Sequence, residues 1–280
     1  IILLIAAAVP TSYAAEHSLP GDPLYYLKTE VFEPLEEALT FGAERRAAVT
    51  IENAEHRLAE TAALVREEDT TDETTITKAL LSGKAREARG EIASIKTEDI
   101  RQRIELQKDL LTVLEAYDVL FREESGTESV VAQDIADQTD ALEEELRVSI
   151  NVLFLSAGQE GMFEEVAQTV GEIRERIAAT TSASGEGSAA ALTSEQRVIL
   201  EHALSVTERE LDEQDPVDAL EILIFSEQAA DVIEKLEDIR EAADKLDDDA
   251  WENVSPGPGE NEGQQRPDDG LPESGVRSVE

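Results

Sequence analysis

The chain is expected to be all-α, an extended bundle of long antiparallel helices completed by a C-terminal helical hairpin, and three observations predict this. Ala47, Ile51, Ala54, Leu58, Thr61 and Val65 fall at steps of 4, 3, 4, 3 and 4, the seam of a helix packed along a partner. No run of β-branched residues alternates with period two, so strands are not expected. Short acidic or Thr/Ser/Gly-rich breaks separate the helical stretches, as connections between bundle helices require.

The order begins with Ile1 to Val9, an uncharged apolar run followed by Pro10 and the small-residue site Ser12-Tyr13-Ala14. It predicts a signal peptide over 1–14, with a truncated start and cleavage after Ala14. The bulk of the chain is then extracytoplasmic, that is secreted, periplasmic or on the cell surface. An uncleaved N-terminal anchor is the alternative, and the only membrane contact expected. A bundle over 15–179 comes next, opening on Leu19 to Lys28, L-P-G-D-P-L-Y-Y-L-K. There Asp22 is expected to cap a helix whose first residue is Pro23, because the proline has no N–H to leave unsatisfied. Leu24, Leu27, Val31, Leu35 and Ala38 form its apolar stripe, and Pro34 predicts a kink or a fresh start.

Helices are next predicted over 43–68, 76–95 and 100–122, with a turn over 67–75 and a cap at Thr97. Val131, Ile135, Leu142, Leu146, Ile150 and Leu153 mark a fourth long helix that stops near Gly158, and a shorter one covers 163–179. Residues 180–191 have the composition of a flexible linker. Over 192–247 a hairpin is predicted, its first helix opened by the capping box Thr193 to Gln196 and its second by Asp215-Pro216. Residues 248–280 are polar, acidic and rich in Pro and Gly, a tail expected to be disordered, with Trp251 packing back onto the bundle where the tail begins.

The L-P-G-D-P-L-Y-Y-L-K segment after a signal peptide, with Ala54 to Thr61 (A-E-H-R-L-A-E-T), resembles the bacterial and archaeal envelope family called domain of unknown function five-six-six-seven. The likeness covers about 18–122, and Tyr26 stands where proline is expected in many relatives. The resemblance implies an extracytoplasmic helical domain without an established activity. Pro20, Gly21, Asp22, Tyr25 and Lys28 are its motif residues, expected to act structurally at the helix start.

Composition narrows the chemistry. With 64 acidic and 24 basic residues the net charge is −40, which excludes a phosphate backbone, and so nucleic acid, as a partner. The absence of cysteine excludes disulfides, thiolate metal sites and a cysteine nucleophile. His17, His56 and His202 are dispersed, and the many acidic pairs are expected to be solvated faces, so no metal, cofactor or catalytic constellation is expected. Tyr25 and Tyr26 are either a recognition surface or, the favoured reading, one ring closing the bundle end. Only seven of the 24 basic residues are lysine, an acid-rich, lysine-poor usage that suggests a host living in brine. The expected role is a non-enzymatic scaffold or protein-binding module for a protein partner in the cell envelope. The alternative is an envelope stress or metal sensor, or a holdase-like chaperone, which needs an exposed apolar groove.

Overall fold

In a computed structural model the chain is described over residues 18–66, 71–121, 130–182, 192–212 and 215–254, and every regular element among these is helical. An N-terminal arm, residues 18–42, holds α1 (Tyr25–Leu27), a π-helical turn (Lys28–Phe32) and α2 (Glu33–Leu39). The bundle continues with α3 (Ala43–Arg66), α4 (Thr71–Ser94), a 3-10 turn (Thr97–Asp99), α5 (Ile100–Phe121), α6 (Val130–Ser182), α7 (Ser194–Asp212) and α8 (Pro216–Val254). No described helix is long and apolar enough to cross a membrane.

The predicted seam of α3 is what the bundle buries: Ala47, Ile51, Ala54, Leu58 and Thr61 are all inside, and Val65 is half-buried against the core. Leu81, Ala85, Ala88 and Ile92 of α4, and Leu110, Leu111 and Leu114 of α5, meet it. The small alanines let α3 and α4 approach closely, and this is the most extensive helix pair of the molecule. α7 and α8 form the expected hairpin, and α8 also packs along α3, α5 and α6. Ala219, Leu223, Ala230 and Ile239 therefore belong to the same apolar cluster as Leu58 and Leu111.

Local chemistry sets the ends. At α7 the capping box forms as expected: Gln196 N–H donates to Thr193 Oγ1 (3.2 Å) and Thr193 N–H to Gln196 Oε1 (2.7 Å). The Gln196 amide also donates to Ala230 O (3.0 Å), fastening the start of α7 to α8. Asp215 Oδ1 accepts from Val217 and Asp218 N–H (3.2 Å each) with Pro216 as the first helical residue. α6 breaks where glycine predicted it, since Gly158 has φ 71° and ψ 176°, a conformation almost confined to glycine.

Several boundaries differ from expectation. α4 begins at Thr71 rather than 76, because Thr and Asp are as acceptable in a first helical turn as in a loop. α6 continues through Ser182, and α8 continues to Val254, well past Leu246. The predicted signal peptide, most of the predicted linker, the residues beyond Val254 and the side chain of Trp251 lie outside the described residues.

Candidate functional site

The motif residues converge where the arm meets α3. Leu19-Pro20-Gly21-Asp22 forms a tight turn, with Asp22 N–H donating to Leu19 O (3.0 Å), proline at its second position and Gly21 at φ 102° at its third. Proline and a positive-φ glycine in those places are the signature of a type II turn. Asp22 therefore does not cap a helix: its Oδ2 accepts from Leu19 N–H (2.9 Å), and α1 starts later, at Tyr25, behind Leu24 without a side-chain cap. A carboxylate folded back into the turn in this way cannot reach the helix amides. The turn buries Ser18, Leu19 and Pro20 and aims the arm along α3.

Beside its apolar seam α3 carries a second stripe, Thr50, Asn53, Arg57 and Glu60, at steps of 3, 4 and 3, and all four are buried. Thr50 donates to Arg46 O within α3 (2.9 Å), and the arm supplies partners for the other three. Lys28 Nζ lies 2.6 Å from Glu60 Oε1, Tyr25 OH donates to Glu60 Oε2 (3.0 Å), and Arg57 Nη1 lies 2.8 Å from the same oxygen. Arg57 also donates to the Tyr25 hydroxyl and through Nη2 to Glu33, with its guanidinium 5.3 Å from the Tyr25 ring centroid. Further along, Asn53 Nδ2 donates to Glu37 Oε1 (3.0 Å), which Lys84 of α4 also reaches. Lys28 and Arg57 against Glu33 and Glu60 make a neutral group, and Arg57 and Glu60 are each only 1% exposed.

The electrostatics of these groups are set by that sealing. Burial, with Glu60 next in effect, pushes the Tyr25 phenol above its ordinary range, so it stays a donor. Burial also raises the Glu33 carboxyl against the pull of Arg57. Arg57 is opposed by burial, yet Glu60, Tyr25 and Glu33 outweigh it and hold the guanidinium charged.

The expected apolar stripe of the arm therefore points the other way. Leu24 and Leu27 are half-buried, while Val31, Leu35, Ala38 and Leu39 face solvent, joined by Tyr26 and by Phe41, which is 83% exposed. Of the tyrosine pair, Tyr25 turns inward and Tyr26 outward. The physical reason is a difference in cost. Leaving a buried Arg57 or Glu60 without its partner costs about 3–5 kcal/mol each, more than the roughly 1.5–3 kcal/mol gained by burying one aliphatic side chain. The π-helical turn accommodates this choice: Glu33 N–H reaches back to Lys28 O, and Pro34, lacking an N–H, sits in the first turn of α2. Sequence reasoning assigns no role to Glu33, Arg57 and Glu60; Arg57 and Glu60 lie in the A-E-H-R-L-A-E-T segment that carries the family resemblance, and their spacing beside the seam is the further signal.

Elsewhere, a cleft of about 460 Å³ between α3, α5 and α8 gathers Glu52, Glu55, Asp109, Asp231, Glu234 and Asp238 around Lys235. Asp109 keeps contact with solvent, yet burial by the chain packed around it, opposed by Lys108 and helped by Glu105, Asp231 and Glu55, pushes its carboxyl up to about 6. Among the described residues no three His, Asp or Glu side chains assemble as a metal-binding group. His56 lies on α3 and His202 on α7.

The sequence matches the family described as Domain of unknown function (DUF5667) over residues 17–250, a span that includes α6, α7 and most of α8 as well as the motif segments. No curated protein and no solved structure matches the chain.

Proposed function

For a chain that belongs to the DUF5667 family, we propose a non-enzymatic, extracytoplasmic helical scaffold whose N-terminal arm binds a protein partner of the cell envelope. The observation that carries this reading is the outward row Tyr26, Val31, Leu35, Leu39 and Phe41 on an arm fixed from behind by buried charges. Exposed apolar side chains at helical spacing, held rigidly, match a helix-to-helix contact in which little ordering entropy remains to be lost. The converging polar groups of the motif are engaged with one another and sealed from solvent, which suits them to positioning rather than to touching a substrate. A holdase-like chaperone would use the same face, but for many unfolded clients rather than one partner. A photoreactive residue at position 35, placed in the chain in its native envelope, separates these. One discrete adduct from position 35 and none from the remote exposed position 195 supports the scaffold. A smear of many adducts supports the holdase, and identical adducts from both positions, or none from either, overturns the assignment of this face.

A further inference from the structure

A second surface, independent of the arm, lies between the C-terminal half of α5 and the first turns of α6. It is a cleft of about 430 Å³, room for a few side chains rather than for a folded element. Its floor is apolar and buried, formed by Tyr117, Phe121 and Ile135, and Val119 stands half-exposed at its edge. Four carboxylates, Glu115, Asp118, Asp140 and Glu143, line it, and among the described residues no basic side chain does. Glu143 pairs with Arg147 (3.3 Å), but Arg147 is shared with Glu221 (2.8 Å), so the rim keeps a net negative charge. Burial raises the Glu115 carboxyl, and the neighbouring Glu143 and Asp118 add to it. The Lys78 ammonium already lies 4.8 Å from the Phe121 ring centroid, which leaves Tyr117 and Ile135 as the rest of the floor.

We propose that this cleft docks a basic, apolar segment of a partner protein, with an apolar side chain against Tyr117 and Ile135 and a lysine or arginine between Glu115 and Asp140. Charge complementarity selects the occupant. A second copy of this chain at net −40, or an anionic lipid surface, is repelled, whereas a cationic segment gains at the rim and an apolar anchor gains on the floor. The acidic cleft at Asp109 has the charge without such a floor, and that contrast provides the control.

The probe is a short amphipathic leucine–lysine peptide titrated onto the full chain in molar NaCl, where the Debye length is ~3 Å and diffuse attraction is weak. Saturable binding is expected. Ala136→Trp, which fills the mouth of the cleft, and Asp140→Lys should each weaken it about tenfold. Asp238→Lys, the same charge change in the other cleft, should leave it within about twofold. Positions 136 and 140 are exposed, and helicity by circular dichroism checks both variants; Asp140→Lys alone decides should the tryptophan disturb the fold. Equal weakening by Asp238→Lys, equally tight binding of oligolysine, or no effect of either cleft variant would overturn the proposal.

Discussion

Glu60 is the residue on which the arm turns, because its two carboxylate oxygens serve Lys28, Tyr25 and Arg57 at once. Glu60→Gln leaves two buried cations facing the single anion Glu33. It is expected to cost about 3–5 kcal/mol in urea unfolding, with the loss expressed first as release of the arm. Adding Lys28→Met restores neutrality between Arg57 and Glu33, so the double variant should be more stable than Glu60→Gln alone by about 1 kcal/mol or more. Simple additivity of the two losses would mean that the charges are not coupled as the distances indicate. The motif residues Tyr25 and Lys28 are thus recognisable in the sequence, but their role is set by residues about thirty positions away on α3.

At the scale of elements, features set by local spacing are legible in the sequence, and features set by distant pairing are not. The α3 seam, the Thr193 capping box, the Asp215-Pro216 start and the Gly158 break each rest on short-range patterns within one helix or at its end, and each appears as expected. The facing of the arm has no such local basis. Its apolar stripe is periodic, and periodicity alone assigns that stripe to the core. The opposite outcome depends on Arg57 and Glu60 lying buried on a different helix, a long-range fact that no local pattern carries. Likewise the family resemblance is visible in motifs only over 18–122, whereas the match extends through most of α8, because the later helices carry seams without a distinctive motif. One local device is directly testable. A Cβ at Gly158 would meet nothing within 4 Å, so Gly158→Ala probes backbone strain alone. It should cost about 1–3 kcal/mol, or shift the two halves of α6 toward one straight helix, seen as a gain in helical circular dichroism. An unchanged melting temperature together with an unchanged spectrum would show that the break does not require glycine.

For the whole molecule the net charge governs. Cross-helix ion pairs such as Arg89–Glu145 (2.7 Å), Arg101–Glu165 (2.6 Å) and Arg176–Asp231 (2.8 Å) are only partly buried, and salt weakens them. Such pairs contribute roughly 0.2–1 kcal/mol each. Against them stand 64 acidic residues and only 24 basic ones, and like charges 10 Å apart repel by roughly 0.4 kcal/mol in water. Repulsion is the larger sum, and the sealed group around Arg57 is shielded from added ions. Melting temperature should therefore rise steeply between dilute buffer and molar KCl or NaCl, as a brine-adapted protein requires. A flat profile would leave the acidity as a solubility feature.

The arm binds the bundle by its charged face and offers its apolar face outward, and thiol labelling tests this arrangement most directly. The chain has no cysteine, so a single introduced one is the only reactive thiol. Leu35→Cys and Leu39→Cys should react with a maleimide in the folded protein as fast as in urea, while Leu19→Cys, buried in the arm but outside the charged group, should be slowed until the arm is released. Slow labelling at 35 and 39 would place the apolar face inside and contradict the arrangement.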